Sequence, residues 1–102
     1  MSIMARVLCD NYVFLDTGAI AEHGWSIFLE TPHGNYLFDT GQGKAILNNA
    51  RVFAIDLSTI KAIMLSHRHF DHTGGLRDVL SVVDNVAVYA HADIFKAAYH
   101  LR

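Results

Sequence analysis

Short, nearly continuous apolar runs alternate with amphipathic stretches along this chain. Ser26-Ile27-Phe28-Leu29, Tyr36-Leu37-Phe38, Ala62-Ile63-Met64-Leu65 and Val86-Ala87-Val88-Tyr89 read as strands of a sheet buried on both faces. An earlier apolar run, Val7-Leu8, belongs to the first strand segments. Between the runs, Lys44 to Ala54 places Ile46, Leu47, Ala50, Phe53 and Ala54 at helical spacing, and Leu76 to Val83 carries the i, i+3, i+4, i+7 stripe Leu76, Val79, Leu80 and Val83. A third helical pattern starts at Ala92 with Ile94, Phe95, Ala98 and Tyr99. Thr31-Pro32-His33-Gly34-Asn35 reads as a hairpin turn, because Pro fixes one dihedral and Gly or Asn tolerates positive φ, and this leaves His33 exposed. Gly41-Gln42-Gly43 reads as a tight strand-to-helix connection, since neither a P-loop nor a dinucleotide fingerprint surrounds it. Strands interleaved with helices place the chain in the α/β (α+β) class.

Composition changes this picture in one respect. Hydrophobic residues make up 52% and charged residues 18% of the 102, which is apolar for a small domain that must clothe its own surface. Three helices are few to cover two faces of a sheet. The pattern from Ala92 also reaches Arg102 with neither a glycine cap nor a proline. Residues 1–102 are therefore expected to form one partial domain that continues beyond Arg102, with a sheet face open to a partner or a second copy. There are no repeats, low-complexity tracts or linkers.

The net charge is −2 and the eight basic residues are scattered, which argues against a nucleic-acid surface. No apolar run approaches membrane-spanning length, and the first twenty residues lack the pattern of a secretory leader. One cysteine allows no internal disulfide, in keeping with a reducing compartment, so a cytoplasmic location is the expectation.

The chemistry is concentrated in Ser66-His67-Arg68-His69-Phe70-Asp71-His72-Thr73, directly after an apolar strand. In extended backbone, His67 and His69 project from the same side and can grip one cation as neutral imidazoles. If the chain then turns into a helix after Phe70, Asp71 and His72 take a different heading and can hold a second cation beside the first. Three imidazoles and a carboxylate suit Zn²⁺ best, with Fe, Mn, Ni and Co also compatible. Structural zinc sites favour several cysteines, whereas Cys9 stands alone here, so the pattern points to catalysis over a purely structural site. His91, directly after a strand-like run, reads as a strand-end or helix-cap residue, and His100 as solvated.

His-x-His-x-Asp-His after a buried strand resembles the signature of the metallo-β-lactamase-fold superfamily of metal-dependent hydrolases, matched by His67, His69, Asp71 and His72 at every ligand position. Tyr36-Leu37-Phe38-Asp39-Thr40-Gly41 looks like that superfamily's earlier strand ending in Asp-x-Gly. Asp10-Asn11-Tyr12, Ala21-Glu22-His23-Gly24-Trp25-Ser26 and Phe38-Asp39-Thr40-Gly41-Gln42 are similar to its branch around a dihydropterin-linked ribofuranosylaminobenzene phosphate synthase.

The resemblance implies the N-terminal half of an αββα sandwich: a mixed sheet with helices on one outer face. It implies up to two zinc ions, His67 and His69 binding one, Asp71 and His72 the other, with further ligands after Arg102. A metal-bound hydroxide would attack a small-molecule substrate while Asp71 orients it. Asp39 would steady a ligand from beneath the loop; as a plain sequence feature it reads equally well as a cap of the Thr40-Gly41 turn. Glu22, His23 and Trp25 would lie near the mouth of the site, against the plainer alternative of a partly exposed loop anchored in the core by Trp25. The rival to a hydrolase is a non-catalytic metal-binding fragment that self-associates or needs a partner to complete its fold.

Overall fold

The computed structural model describes residues 2–13, 17–67 and 69–90. The helix expected from Ala92, together with His91 and His100, lies outside the described residues.

Five strands form one mixed sheet in chain order: β1 Met4–Cys9, β2 Ser26–Thr31, β3 Gly34–Phe38, β4 Ile60–Leu65 and β5 Ala87–Ala90. The first two pairings are antiparallel and the last two parallel. The hairpin falls where Pro32 and His33 turn the chain, with Thr31 opposite Gly34. Thr31 Oγ1 accepts from the His33 amide and donates to the Gly34 carbonyl, so the side chain closes the turn. Parallel pairing of β3 with β4 requires a crossover, and helix α1 (Ile46–Val52) with the 3-10 turn Leu57–Thr59 supplies it. The next crossover carries two short helices, α2 Phe70–Thr73 and α3 Leu76–Leu80. Both longer helices run shorter than their apolar patterns, ending before Ala54 and Val83.

Register sorts the strand side chains onto two unlike faces. Phe28, Leu37 and Ile63 are aligned across three strands, and with Leu8 and Leu65 they pack under Ala45, Ile46, Ala50, Val79 and Val83 to make the core. The alternate residues Val7, Ile27, Leu29, Tyr36, Phe38, Met64 and Tyr89 occupy the opposite face, where none is fully buried and Val7, Phe38 and Tyr89 are exposed. One face is thus left open, as helices on one outer face imply, although the apolar runs taken alone read as buried on both. Continuous apolar sequence made both faces hydrophobic, but the described helices cover one.

Leu37→Ala, at a fully buried position, is expected to cost about 2–5 kcal/mol of stability, because the cavity adds to the lost transfer energy. Phe38→Ala, one residue along and on the open face, should cost less than about half of that. Chemical denaturation of the two variants checks the assignment of faces.

A candidate metal centre at the end of the sheet

The parallel strands β3 and β4 end side by side, and both site segments leave from their C-terminal ends. After β3 the chain runs through Asp39, Thr40 and Gly41; after β4 it runs through Ser66 to His72. Backbone hydrogen bonds join them: Asp39 N to Met64 O (2.8 Å), Thr40 N to His72 O (2.7 Å) and Gly75 N to Gly41 O (3.1 Å). Thr40, fully buried, adds its hydroxyl to the His72 carbonyl at 3.0 Å and accepts the Gly75 amide at 3.0 Å. The chain turns helical at Phe70, with His69 extended as the residue before α2, so His67 and His69 precede the helix while Asp71 and His72 lie in its first turn.

These side chains converge. Ligand atoms of His67, His69 and Asp71 all lie within 4.8 Å of one another. The His67 ring is 4.7 Å from that of His69 and 4.1 Å from that of His72, centroid to centroid. Asp71 Oδ2 is 3.4 Å from His72 Nε2. The sequence assigned Asp71 to a second grouping with His72; the folded chain sets it against both imidazole groups.

Asp39 orders this cluster from below. Its carboxylate is buried and accepts three hydrogen bonds: Ser66 N on Oδ1 at 2.7 Å, and Ser66 Oγ (2.7 Å) and His72 Nδ1 (2.8 Å) on Oδ2. Asp39 adopts a left-handed backbone, φ 57°, a conformation that aspartate tolerates better than most residues, and this turn carries the carboxylate under the loop. The carboxylate does not cap the Thr40-Gly41 turn; it bonds Ser66 and His72, a candidate ligand, instead.

A carboxylate has no proton to give, so His72 Nδ1 donates, and a neutral imidazole then offers Nε2 as a lone pair. That lone pair faces Asp71 Oδ2, itself an acceptor, a contact that is repulsive until a proton or a cation comes between. Donor atoms bound tetrahedrally at about 2.0–2.1 Å stand about 3.3–3.4 Å apart, the separation seen here. Ser66 spends its hydroxyl proton on Asp39 and accepts from His67 Nδ1 at 2.8 Å, which frees His67 Nε2 in the same way. These residues fit a divalent cation.

The loop before β2 departs from expectation. Glu22 is only 8% exposed, and its carboxylate accepts the amides of Gln42 (2.6 Å) and Lys44 (3.1 Å), closing the Gly41-Gln42-Gly43 turn. Gly41 (φ 67°) has no room for a Cβ, which would come within 2.3 Å of Glu22 Oε2. Glu22 thus serves the turn. Trp25 is 37% exposed, so it does not anchor the loop in the core; its amide donates to Asp71 O at 3.2 Å and its carbonyl accepts from Gly41 N at 3.0 Å. His23 does reach the cluster, with Nε2 3.4 Å from Asp71 Oδ2. The sequence had singled out neither Ser66 nor Thr40; only their adjacency to His67 and Asp39 hinted at them.

A family model described as the metallo-β-lactamase superfamily matches residues 19–102, and the chain belongs to that family. It is 32% identical to the 7,8-dihydropterin-6-methyl-4-(β-D-ribofuranosyl)-aminobenzene-5′-phosphate synthase of Methanocaldococcus jannaschii, over 96% of this chain and 35% of the synthase. A hydroxyacylglutathione hydrolase of Pseudoalteromonas translucida is 27% identical over 82% of this chain and 27% of its own length. Among solved structures, a metallo-β-lactamase from Cronobacter sakazakii with a HARLDQ motif superposes with a TM-score of 0.60 and 28% identity, covering 72% of this chain and 28% of that one. The chain spans about a third of the length of the curated relatives it matches. The α+β fold expected from the resemblance, and the likeness to the dihydropterin-linked branch, are both borne out.

Asp39→Ala is expected to weaken zinc binding about 10- to 100-fold, since loss of a group that orients ligands typically costs that much; competition against a chromogenic chelator measures it. Cys9, buried beside Glu22, has its thiol pushed up to about 12 by burial first and by the Glu22 charge second. Because the folded state holds this proton longer than the unfolded chain, the associated stability is present below about pH 9 and is lost as pH rises towards about 12. Cys9→Ala should flatten that alkaline decline in a pH series of thermal melts.

Proposed function

We propose that the chain carries the first half of the ligand set of a metal-dependent hydrolase, most simply a dinuclear zinc enzyme, acting on a small-molecule substrate. One observation carries the reading: His72 Nε2 and Asp71 Oδ2 face each other at 3.4 Å, with the other nitrogen of His72 already committed to Asp39. In this reading His67 and His69 hold one cation, His72 a second, and Asp71 lies within reach of both. A bound divalent cation supplies Lewis acidity and lowers the pKa of water from about 15.7 towards about 7. The protein's own residues do the rest. Asp71, half-buried beside His72, orients the attacking water and accepts its proton; Asp39 fixes the tautomers of His72 directly and of His67 through Ser66. Any further ligands would lie in the part of such a protein that these residues do not span.

Two names among the relatives pull differently: one is a synthase, the other a hydroxyacylglutathione hydrolase. The hydrolase reading rests on the arrangement of the candidate ligands and not on either name. No helix among the described residues is long and apolar enough to cross a membrane, and a buried free cysteine suits a reducing cytoplasm.

A second reading is favoured by the uncovered apolar face: a metal-binding module that completes its fold against a second copy or a partner. Metal content, oligomeric state and turnover separate the two. The 102-residue chain is expected to bind zinc through its four side chains and to give at most weak turnover of chromogenic esters or phosphodiesters. That turnover should vanish on chelation and in Asp71→Asn. Turnover that persists in the presence of a strong chelator contradicts the metal-dependent reading.

A further inference from the structure

We propose that His23 is itself a ligand of the metal centre, sharing with Asp71 a divalent first-row cation from a segment outside the His-x-His-x-Asp-His run. This rests on the metal-centre reading above and extends it to the strand β1–β2 connection. Asp71 Oδ2 has two imidazole neighbours at the same separation, His72 Nε2 and His23 Nε2, each 3.4 Å away. Nitrogen and oxygen donors that share a tetrahedral cation stand at that spacing, whereas a direct hydrogen bond between a charged pair is shorter, about 2.7–2.9 Å. The contact is longer than a charge-assisted hydrogen bond and has the length that a shared ion requires.

The second support is the way residues 22–25 are held. An exposed loop that met Asp71 by accident would be loosely attached, but here every neighbour of His23 is fastened. Glu22 is buried, donates its amide to Asp10 O at 3.0 Å, and ties the Gln42 and Lys44 amides. The His23 carbonyl accepts from Gln42 Nε2 at 2.6 Å. At Gly24 a Cβ would lie 2.8 Å from Asp71 O and 3.1 Å from Gly41 Cα, so the backbone is pressed against the metal loop where only glycine fits. The Trp25 amide donates to the same Asp71 carbonyl. Four consecutive residues thus fix His23 relative to Asp71, while its side chain stays 77% exposed and contributes nothing to the core. A side chain that is rigidly placed at its base and unburied at its tip is suited to binding a ligand, and its removal should spare the fold.

The test is a titration of the metal-free 102-residue chain with Zn²⁺ and Co²⁺, comparing wild type, His23→Ala and His33→Ala, the last an exposed turn histidine remote from the cluster. His23→Ala is expected to lower affinity for a cation at least 10-fold, no less than loss of a merely supporting residue would. His33→Ala should match wild type, and both variants should keep the wild-type melting temperature. Direct ¹¹³Cd–¹⁵N coupling to His23 Nε2 in the labelled protein should accompany cadmium binding. If wild type binds and His23→Ala binds equally well with no such coupling, the His23 assignment is overturned while the metal centre stands. If wild type binds no cation, both fall together.

Discussion

Everything at this site hangs on the buried carboxylate of Asp39. Three donors from the metal loop converge on it, the Ser66 amide, the Ser66 hydroxyl and His72 Nδ1, all within 2.8 Å. A buried carboxylate is costly unless paired, and the loop supplies the partners; in return the carboxylate dictates which nitrogen of two imidazoles carries a proton. The arrangement is reciprocal. The loop is ordered by its contacts to Asp39, and Asp39 is tolerable in the interior because of the loop.

This interaction explains why the fold is built as it is around the end of the sheet. Parallel pairing of β3 with β4 brings two C-terminal strand ends together, and the backbone bonds of Asp39, Thr40 and Gly41 to Met64, His72 and Gly75 extend that pairing past the strands themselves. Glu22 then braces the same turn from the other side, occupying two amides that the glycine-rich connection leaves open. Positioning is thereby entrusted to backbone and buried acids, while the ligand atoms stay near the surface. Sites built on rigid elements hold tighter geometry than sites on free loops.

Much of the fold could be read from the sequence because its signals are local. The hairpin at Pro32-His33, the strands around Phe28, Leu37 and Ile63, and the helix carrying Ile46 and Ala50 follow from short-range pattern and turn chemistry. The convergence of His67, His69, Asp71 and His72 was legible for the same reason: four side chains within six residues need no knowledge of the fold. What escaped was long-range. Glu22 is buried by partners twenty residues away, Ser66 acquires its role from Asp39 across two strands, and the left-handed backbone of Asp39 leaves no mark on composition. That one sheet face would stay open followed from the shortage of helices, but not that it would be the face containing Phe38 and Tyr89, since an apolar run does not say which of its two faces will be covered.

In the proposed function, His67, His69, Asp71 and His72 close around divalent metal. Anomalous diffraction at the zinc edge, from crystals of the zinc-loaded chain, addresses it directly. An anomalous peak is expected within about 2.0–2.2 Å of imidazole nitrogens of this loop and of an Asp71 oxygen. Zinc-loaded crystals with well-defined density for these side chains and no anomalous peak among them, or a peak held only by other residues, would contradict it.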